Sequence, residues 1–265
     1  MNKYDYHIHG TFSSDSTAAY GDLIQKAINE NYQQIAFTDH FDFLPSEALE
    51  YGVPSYTEYV KHIENLQTKF KSSMSILLGV EIGEFHRVTS YTDRLFKIRK
   101  PDLTIGSIHV LTDGFNVSVP FNEKMTKKQV LDYYNENLAL CEQSPINILG
   151  HLGIHKRYYT QTPDESYVDS LIDKILETLI KREIALEINY SPFRKTYNSF
   201  LPEIPILKRY LTKGGKLVTI GSDSHSVENF DDNYNRTAKI LFDCGCKELA
   251  IISPNGWATT PLSCF

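Results

Sequence analysis

The chain has 265 residues, of which 41% are hydrophobic and 23% are charged, and its formal net charge is −6. These values are typical of a globular protein and give no general attraction for nucleic acid, and no stretch has the roughly 18 to 20 apolar residues of a membrane span. Because the N-terminus carries no export signal and four cysteines in so large a chain indicate free thiols, we expect one cytoplasmic domain over residues 1–265.

In the first half of the chain, apolar runs of strand length alternate with amphipathic segments of helix length. The predicted strands are residues 4–9, 34–38, 75–82 and 103–108. The predicted helices are residues 17–31, with Ser16 or Thr17 as the N-cap, 55–71 and 90–99. An aromatic loop is expected over 40–54, and an irregular excursion with a turn at Asp113 and Gly114 is expected over 110–125.

The second half of the chain repeats this alternation. Its predicted strands are residues 147–150, 184–189, 217–220 and 248–252. Its predicted helices are residues 126–142, 164–182, 205–213 and 233–244. Strands that alternate with helices of this length predict an α/β fold with a parallel sheet of seven or eight strands, closed into a barrel.

Side chains that can bind metal ions follow the apolar runs, at or just beyond the C-terminal ends of the predicted strands. They are His7, His9, Asp15, His40, Glu81, His109, His151, Asp223 and His225. Parallel strands bring their C-terminal ends together at one mouth of a barrel, where active sites are built. Imidazole and carboxylate ligands without thiolates suit zinc, iron(II) or manganese(II). The sequence therefore predicts a metal centre at this mouth.

The order of these motifs resembles the PHP (polymerase and histidinol phosphatase) superfamily, and most closely its monofunctional histidinol-phosphate phosphatases. The matching segments are HIH at 7–9, TDH at 38–40, GVEIG at 79–83, GSIH at 106–109, GH at 150–151 and GSDSH at 221–225. The resemblance implies a distorted (β/α)7 TIM-like barrel, in a single PHP-type phosphatase domain, with three divalent metal ions at its mouth.

The resemblance also implies which residues hold each ion. The first ion would be held by His7, His9, Glu81 and Asp223, the second by Glu81, His109 and His151, and the third by Asp15, His40 and His225. Glu81 would bridge the first two ions. Some relatives have histidine at the position of Asp15, where an aspartate ligates through oxygen instead of nitrogen.

From the resemblance we expect a metal-dependent phosphomonoesterase that hydrolyses L-histidinol phosphate to L-histidinol and phosphate in histidine biosynthesis. Three divalent ions outweigh the three carboxylates among the ligands, so the loaded site attracts a phosphate dianion although the whole chain is acidic. A hydroxide that bridges two ions is expected to attack phosphorus in line. Asp223 is counted among the catalytic residues as well as the ligands.

Further residues are expected to bind the substrate. Arg157 lies in the loop beyond His151, and Arg194 follows the strand that ends at Asn189. Guanidinium groups match phosphate oxygens in a bidentate manner, so both arginines are predicted to grip the phosphate and assist catalysis. His155 and Asp42 are also expected to contact the substrate. Asp39 is expected to orient a ligand imidazole from behind, and Glu84 and His86 are alternative contacts for a cationic substrate.

Two other functions are compatible with the same residues. One is a different phosphatase of the superfamily, acting on protein tyrosine phosphate or on a nucleotide. The other is a metal-binding module without catalysis, which the complete set of nine candidate ligands disfavours. The sequence does not choose among zinc, iron and manganese. The expected partner is a small phosphorylated substrate, with no nucleic acid and no membrane, and the chain is expected to be a monomer or a small homo-oligomer.

Overall fold

The computed structural model describes residues 2–43, 55–121 and 123–262, and its main sheet is a parallel barrel of seven strands in chain order. The strands are β1 (Lys3–Ile8), β2 (Tyr32–Phe37), β3 (Ser75–Gly83), β4 (Leu103–Ser107), β5 (Ile148–Leu149), β6 (Ala185–Asn189) and β7 (Val218–Gly221). At the seam, His9 N donates to Ser224 O at 3.0 Å and Asp223 N donates to His7 O at 2.8 Å. The sheet thus forms the nearly closed (β/α)7 barrel that was predicted.

Within the described residues, seven α-helices follow or separate the strands. They are α1 (Tyr20–Asn29), α2 (Tyr56–Phe70), α3 (Thr89–Ile98), α4 (Lys127–Gln143), α5 (Asp169–Arg182), α6 (Ile204–Thr212) and α7 (Tyr234–Asp243). Local chemistry explains two of their starts, since Ser55 accepts from Glu58 N and Thr126 forms a capping box with Gln129. The part of the predicted aromatic loop over 44–54 lies outside the described residues.

The predicted start of α1 was wrong. The helix begins at Tyr20 without a side-chain cap, instead of at residue 17 with Ser16 or Thr17 as the cap. The Ser16 hydroxyl donates to the carbonyls of His9 and His225, and Thr17 N donates to His225 O. These two residues therefore tie the chain across the barrel seam, and Ser16 Oγ accepts from Ala18 N in the turn before the helix instead of capping it.

The predicted eighth strand exists but lies outside the barrel. It is β8 (Glu248–Ser253), and it pairs antiparallel with β9 (Gly256–Pro261), a strand that the sequence analysis missed. Ile252 N donates to the Tyr6 hydroxyl at 3.2 Å, and Ile252 and Trp257 pack against the small apolar cluster that contains Tyr6. This hairpin covers the N-terminal end of the barrel.

A bulge in β1 determines which side chains reach the barrel interior. Asp5 pairs with Ile35 and Ile8 pairs with Phe37, so β1 uses three steps where β2 uses two. The extra residue lets Tyr6 join the inner apolar cluster while His7, the next residue, contacts Glu81. The inner cluster fills the lower part of the barrel, and the charged groups collect above it at the C-terminal mouth.

The composition predicted free thiols and no membrane span. Cys141, Cys244 and Cys246 are free thiols. Within the described ranges, none of the helices combines the length and apolar character required to cross a bilayer.

Candidate metal centre

Glu81 lies at the centre of the site, near the end of β3, and it is completely buried. Its Oε2 atom is 3.1 Å from His7 Nε2, 3.4 Å from His9 Nε2 and 3.1 Å from His40 Nδ1. One carboxylate oxygen therefore faces three of the imidazoles that were predicted as ligands, two at or just beyond the end of β1 and one from the segment after β2.

The other carboxylate oxygen of Glu81 faces the remaining pair of buried imidazoles. Glu81 Oε1 is 2.9 Å from His151 Nε2 and 3.4 Å from His109 Nε2, and it accepts a hydrogen bond from the Ser107 hydroxyl at 2.6 Å. Glu81 thus lies between the two sets of ligands that the resemblance assigns to two different ions.

Asp223 occupies the opposite side of His7 and His9. Its Oδ1 atom is 3.4 Å from His9 Nε2 and 3.7 Å from His7 Nε2, while its Oδ2 atom accepts from the Ser191 hydroxyl at 3.0 Å. The backbone of Asp223 has φ of 49°, a left-handed conformation that aspartate tolerates better than most residues. This conformation turns the carboxylate into the mouth directly after β7.

The outer edge of the site contains Asp15, His40 and His225. Asp15 Oδ2 is 3.3 Å from His225 Nε2 and 3.9 Å from His40 Nε2. The Asp15 side chain is 60% exposed, in contrast to the buried Glu81. His40 has its two ring nitrogens on different neighbours, since Nε2 faces Asp15 and Nδ1 faces Glu81.

Several buried atoms of this cluster have no hydrogen-bond partner, although they lie close together. They are His7 Nε2, His9 Nε2, His40 Nδ1 and Glu81 Oε2. Within the described ranges, four triplets offer ligand atoms within 4.8 Å of one another, namely His9–His40–His225, His7–Glu81–His151, His7–His9–Asp223 and His40–Asp42–His109. Buried polar atoms are normally hydrogen-bonded, and the exceptions need an explanation. Bound cations would satisfy these four atoms, so the residues present fit divalent metal ions.

The charges of the cluster stabilise each other. Burial alone would raise the pKa of Glu81, but the neighbouring His7 and His40 hold it well below its usual range. The pKa of Asp223 is also well below its usual range, because His7 and His9 outweigh the effect of burial. Burial and the nearby His225 and His40 lower the pKa of His9 to about 3. The carboxylates and the His9 ring are thus in the deprotonated forms that metal ligation requires.

Glu187, in the middle of β6, supports the site and was missed by the sequence analysis. Its Oε1 atom is 2.6 Å from His7 Nδ1, and its Oε2 atom accepts from His151 N at 2.6 Å. A carboxylate behind a metal-ligating histidine fixes the orientation and tautomer of the ring. The only sequence feature that could have revealed it is a single charged residue inside the apolar run IALEINY.

Asp39 reaches the site through Ser13 rather than by direct contact. Asp39 Oδ1 accepts from the Ser13 hydroxyl at 2.9 Å, and this hydroxyl is 3.1 Å from His9 Nδ1. Asp42 contacts predicted ligands itself, with Oδ2 at 3.1 Å from His109 Nδ1 and 3.4 Å from His40 Nδ1. Orientation of these imidazoles is therefore a role for Asp42 beside its predicted contact with the substrate.

The two predicted phosphate-binding arginines have different surroundings. Arg157 Nη1 is 3.8 Å from Asp223 Oδ2, Nη2 donates to the Ser118 carbonyl, and Nε is buried without a partner. Arg194 Nη2 donates to the carbonyls of Ser222 at 2.7 Å and Asp223 at 3.1 Å. Arg157 places Nη1 beside the site, whereas Arg194 holds the backbone turn that carries Asp223.

The remaining candidates lie behind the mouth. His155 is completely buried, and its Nε2 atom is 3.1 Å from Glu165 Oε1. Glu84 Oε1 accepts from His109 N and Val110 N, so it anchors the backbone after β4. Substrate contacts were predicted for His155 from the sequence, but in the structure its partners are a carboxylate and the surrounding tyrosine rings.

A parallel barrel with imidazoles and carboxylates gathered at its C-terminal mouth defines the class of metal-dependent barrel enzymes. The sequence profile of the PHP domain family matches residues 5–191. The chain therefore belongs to the PHP domain family.

Named relatives resemble the chain over nearly its whole length. The probable histidinol-phosphatase of Clostridium acetobutylicum is 30% identical, with 92% of this chain and 94% of the relative covered. The histidinol-phosphatase of Lactococcus lactis is 29% identical, with 96% and 95% covered. The crystal structure of the Lactococcus lactis histidinol phosphate phosphatase, solved with zinc, L-histidinol and phosphate, has a TM-score of 0.82 at 28% identity and covers 97% of this chain and 99% of its own.

Proposed function

We propose that this protein hydrolyses L-histidinol phosphate to L-histidinol and phosphate, as a step of histidine biosynthesis. The observation that carries the proposal is the convergence of unpartnered imidazole and carboxylate atoms on Glu81, with Arg157 Nη1 3.8 Å from Asp223 Oδ2 at the same site. The similarity to histidinol phosphatases along the whole chain supports this substrate over other phosphate esters.

The proposed cofactors are three divalent ions, with zinc as the first candidate because the Lactococcus lactis relative was solved with zinc. The ligands would be His7, His9, Asp15, His40, Glu81, His109, His151, Asp223 and His225. When bound, such ions lower the pKa of water towards neutrality and neutralise negative charge on the phosphoryl oxygens.

The residues of the chain would bind and orient the ester. Arg157 would hold the phosphate oxygens through Nη1, which is at the side of the site where Asp223 lies. Arg194 would help to bind the phosphate. It would also keep Asp223 in place through its hydrogen bonds to the carbonyls of Ser222 and Asp223. Lys195 lies near both arginines, and burial together with their positive charges lowers its pKa. We assign Asp223 a catalytic role as well as ligation, since Oδ1 faces the imidazoles and Oδ2 faces Arg157.

Steady-state kinetics on a panel of phosphate esters tests the substrate. The panel contains L-histidinol phosphate, para-nitrophenyl phosphate, phosphotyrosine and a nucleotide monophosphate, and metal content is measured in the same sample. We expect kcat/KM for L-histidinol phosphate to exceed the others by orders of magnitude, with about three ions per chain. A metal-loaded sample that ignores L-histidinol phosphate and cleaves phosphotyrosine or the nucleotide would contradict the assignment.

The cytosol remains the expected compartment, and a monomer or small homo-oligomer remains the expected state. Size-exclusion chromatography with light scattering measures the second expectation directly, and a large assembly would contradict it.

A further inference from the structure

Lys156 is a cation enclosed by two carboxylates directly behind the mouth. The residue is only 3% exposed, and its Nζ atom is 2.6 Å from Glu203 Oε2 and 3.1 Å from Glu165 Oε2. A buried ammonium group is costly unless it is paired, and removing one partner leaves an uncompensated charge. Both ion pairs therefore fix the position of the Lys156 side chain in the folded protein.

A closed ring of contacts runs from this ammonium group to the backbone of Arg157. Glu203 Oε1 accepts a hydrogen bond from the Tyr197 hydroxyl at 3.1 Å. Tyr197 N in turn donates to Arg157 O at 3.2 Å. We call Lys156, Glu203 and Tyr197, with Glu165, the Lys156 network. The Lys156 network holds the backbone before Arg157 through the Lys156 side chain and the backbone after it through the Arg157 carbonyl.

The Lys156 network also joins the two loops that carry the arginines. Arg157 belongs to the 3-10 helix Ile154–Tyr158, which follows β5, and Arg194 ends the 3-10 helix Ser191–Arg194, which follows β6. Tyr197 and Glu203 belong to the segment directly beyond Arg194. A displacement of Lys156 therefore changes the distance between the Arg157 loop and the loop next to it.

We propose that Lys156 is a positioning residue, which through Glu203 and Tyr197 holds Arg157 where it binds the phosphate group of the substrate. The inference rests on the proposed role of Arg157 as a phosphate ligand. The phosphate oxygens are charged in the substrate, in the transition state and in the product, so an arginine that holds them binds all three. Loss of its alignment should therefore raise KM more than it lowers kcat.

The test compares Lys156→Met with Lys3→Met, a control of matched burial. Lys3 is 6% exposed and pairs with two carboxylates, Asp231 at 2.8 Å and Glu30 at 3.3 Å, but it starts β1 at the opposite end of the barrel. KM and kcat are measured for L-histidinol phosphate and para-nitrophenyl phosphate, together with the inhibition constant of inorganic phosphate and the free energy of unfolding.

We expect Lys156→Met to raise KM for both esters and the inhibition constant of phosphate by about ten-fold, with kcat changed by less than about three-fold. Lys3→Met should lose comparable stability and leave KM, kcat and the inhibition constant of phosphate unchanged. Tyr197→Phe removes one hydroxyl from the Lys156 network and should raise KM by about three-fold. This milder variant decides the question if Lys156→Met does not fold.

A double-mutant cycle with Arg157→Ala separates positioning from general support. If Lys156 acts through Arg157, then Lys156→Met should add little to KM in the Arg157→Ala background. Full additivity, or a KM change no greater than that of Lys3→Met, would overturn the inference. If Arg157→Ala leaves KM and phosphate inhibition unchanged, both the role of Arg157 and this inference fall. If only para-nitrophenyl phosphate is cleaved and shows the expected changes, the inference stands and the proposed substrate is wrong.

Discussion

At the scale of residues, hydrogen bonds determine which nitrogen of each imidazole carries the proton. His7 Nδ1 faces Glu187 at 2.6 Å, and His109 Nδ1 faces Asp42 at 3.1 Å. A carboxylate only accepts, so Nδ1 carries a proton in both rings and Nε2 points towards the site. Burial alone would lower the pKa of both histidines, but the neighbouring carboxylates hold it well above the usual range, so a metal ion that binds Nε2 displaces the proton there.

Glu187→Gln tests this arrangement. The amide has one acceptor oxygen, whereas Glu187 accepts both from His7 Nδ1 and from His151 N, so one of the two hydrogen bonds is lost. We expect the affinity for metal to fall by about 10- to 100-fold. Competition titrations with a chelator measure this affinity, and Glu177→Gln on the surface of α5 is the control. An equal affinity in the two variants would refute the role of Glu187.

The sequence predicted the cluster of imidazoles and carboxylates and placed Asp39 behind it, but it did not reveal Glu187 or Ser13. The ligands follow apolar runs at strand ends, which is a local pattern, and the order of the motifs completes it. Glu187 is 180 residues from His7, and only the closure of the barrel brings them together. Ser13 was missed because a single hydroxyl in a loop has no distinctive pattern. The hydrogen bonds from Arg194 to backbone carbonyls depend on the turn at Asp223, and no sequence motif specifies this turn.

At the scale of elements, β7 must approach β1 and β6 very closely. A Cβ atom on Gly221 would lie 2.0 Å from Glu187 Oε1 and 2.8 Å from His7 Cβ. These distances are far shorter than van der Waals contact. A side chain at the end of β7 would therefore displace the groups that orient His7.

Gly221→Ala is expected to lower both the free energy of unfolding and the metal content. Gly21→Ala is the matched control, because a Cβ atom there has open space in α1, and it should stabilise the protein by about 0.5 to 1 kcal/mol. Urea unfolding and metal analysis of the two variants measure the difference. A Gly221→Ala protein that keeps its stability and its metal would contradict the close approach.

The buried pair of Glu165 and Lys156 predicts a pH dependence of stability. Burial alone would raise the pKa of Glu165, but the hydrogen bond with His155 and the charge of Lys156 hold it below its ordinary value of 4.5. A carboxyl whose pKa is lowered by folding contributes stability above its unfolded pKa and loses it as the pH falls through the folded pKa. The stability lost in Glu165→Gln should therefore be largest near neutral pH and shrink below about pH 4. Urea unfolding of both proteins between about pH 4 and pH 7 measures this loss of stability. A loss that does not depend on pH would contradict the stabilising role of the Glu165–Lys156 ion pair.

Helix and strand positions were predictable wherever local chemistry decides them. Ser55 and Thr126 mark the starts of α2 and α4 through their side-chain hydrogen bonds. The start of α1 was predicted wrongly because Ser16 and Thr17 bond across the barrel seam instead. A contact between residues about 200 positions apart is not visible in a local pattern.

At the scale of the whole molecule, the barrel is covered at its N-terminal end and carries its chemistry at the other. The β8–β9 hairpin provides the cover, and Trp257 Nε1 donates to Glu183 O at 3.0 Å. The alternation of strands and helices predicted the barrel. The hairpin was missed because β8 looks like one more barrel strand and β9, with the sequence GWATTP, has no apolar run of strand length.

Trp257→Ala should separate stability from chemistry. The side chain is half-buried, so its loss should lower the free energy of unfolding by about 1 to 3 kcal/mol. The mouth is at the opposite end of the barrel, so KM and kcat should not change. Urea unfolding and steady-state kinetics on one preparation measure both, and a change in KM would show that the cover and the site are coupled.

The central claim is that ions held by the Glu81 cluster make this barrel a phosphatase for L-histidinol phosphate. The most direct measurement is kcat/KM for L-histidinol phosphate after complete removal of metal and during stepwise return of zinc, with bound ions counted at each step. We predict that activity disappears on removal and returns as about three ions per chain bind. Full activity in the metal-free protein, or complete metal binding without turnover, would contradict the claim.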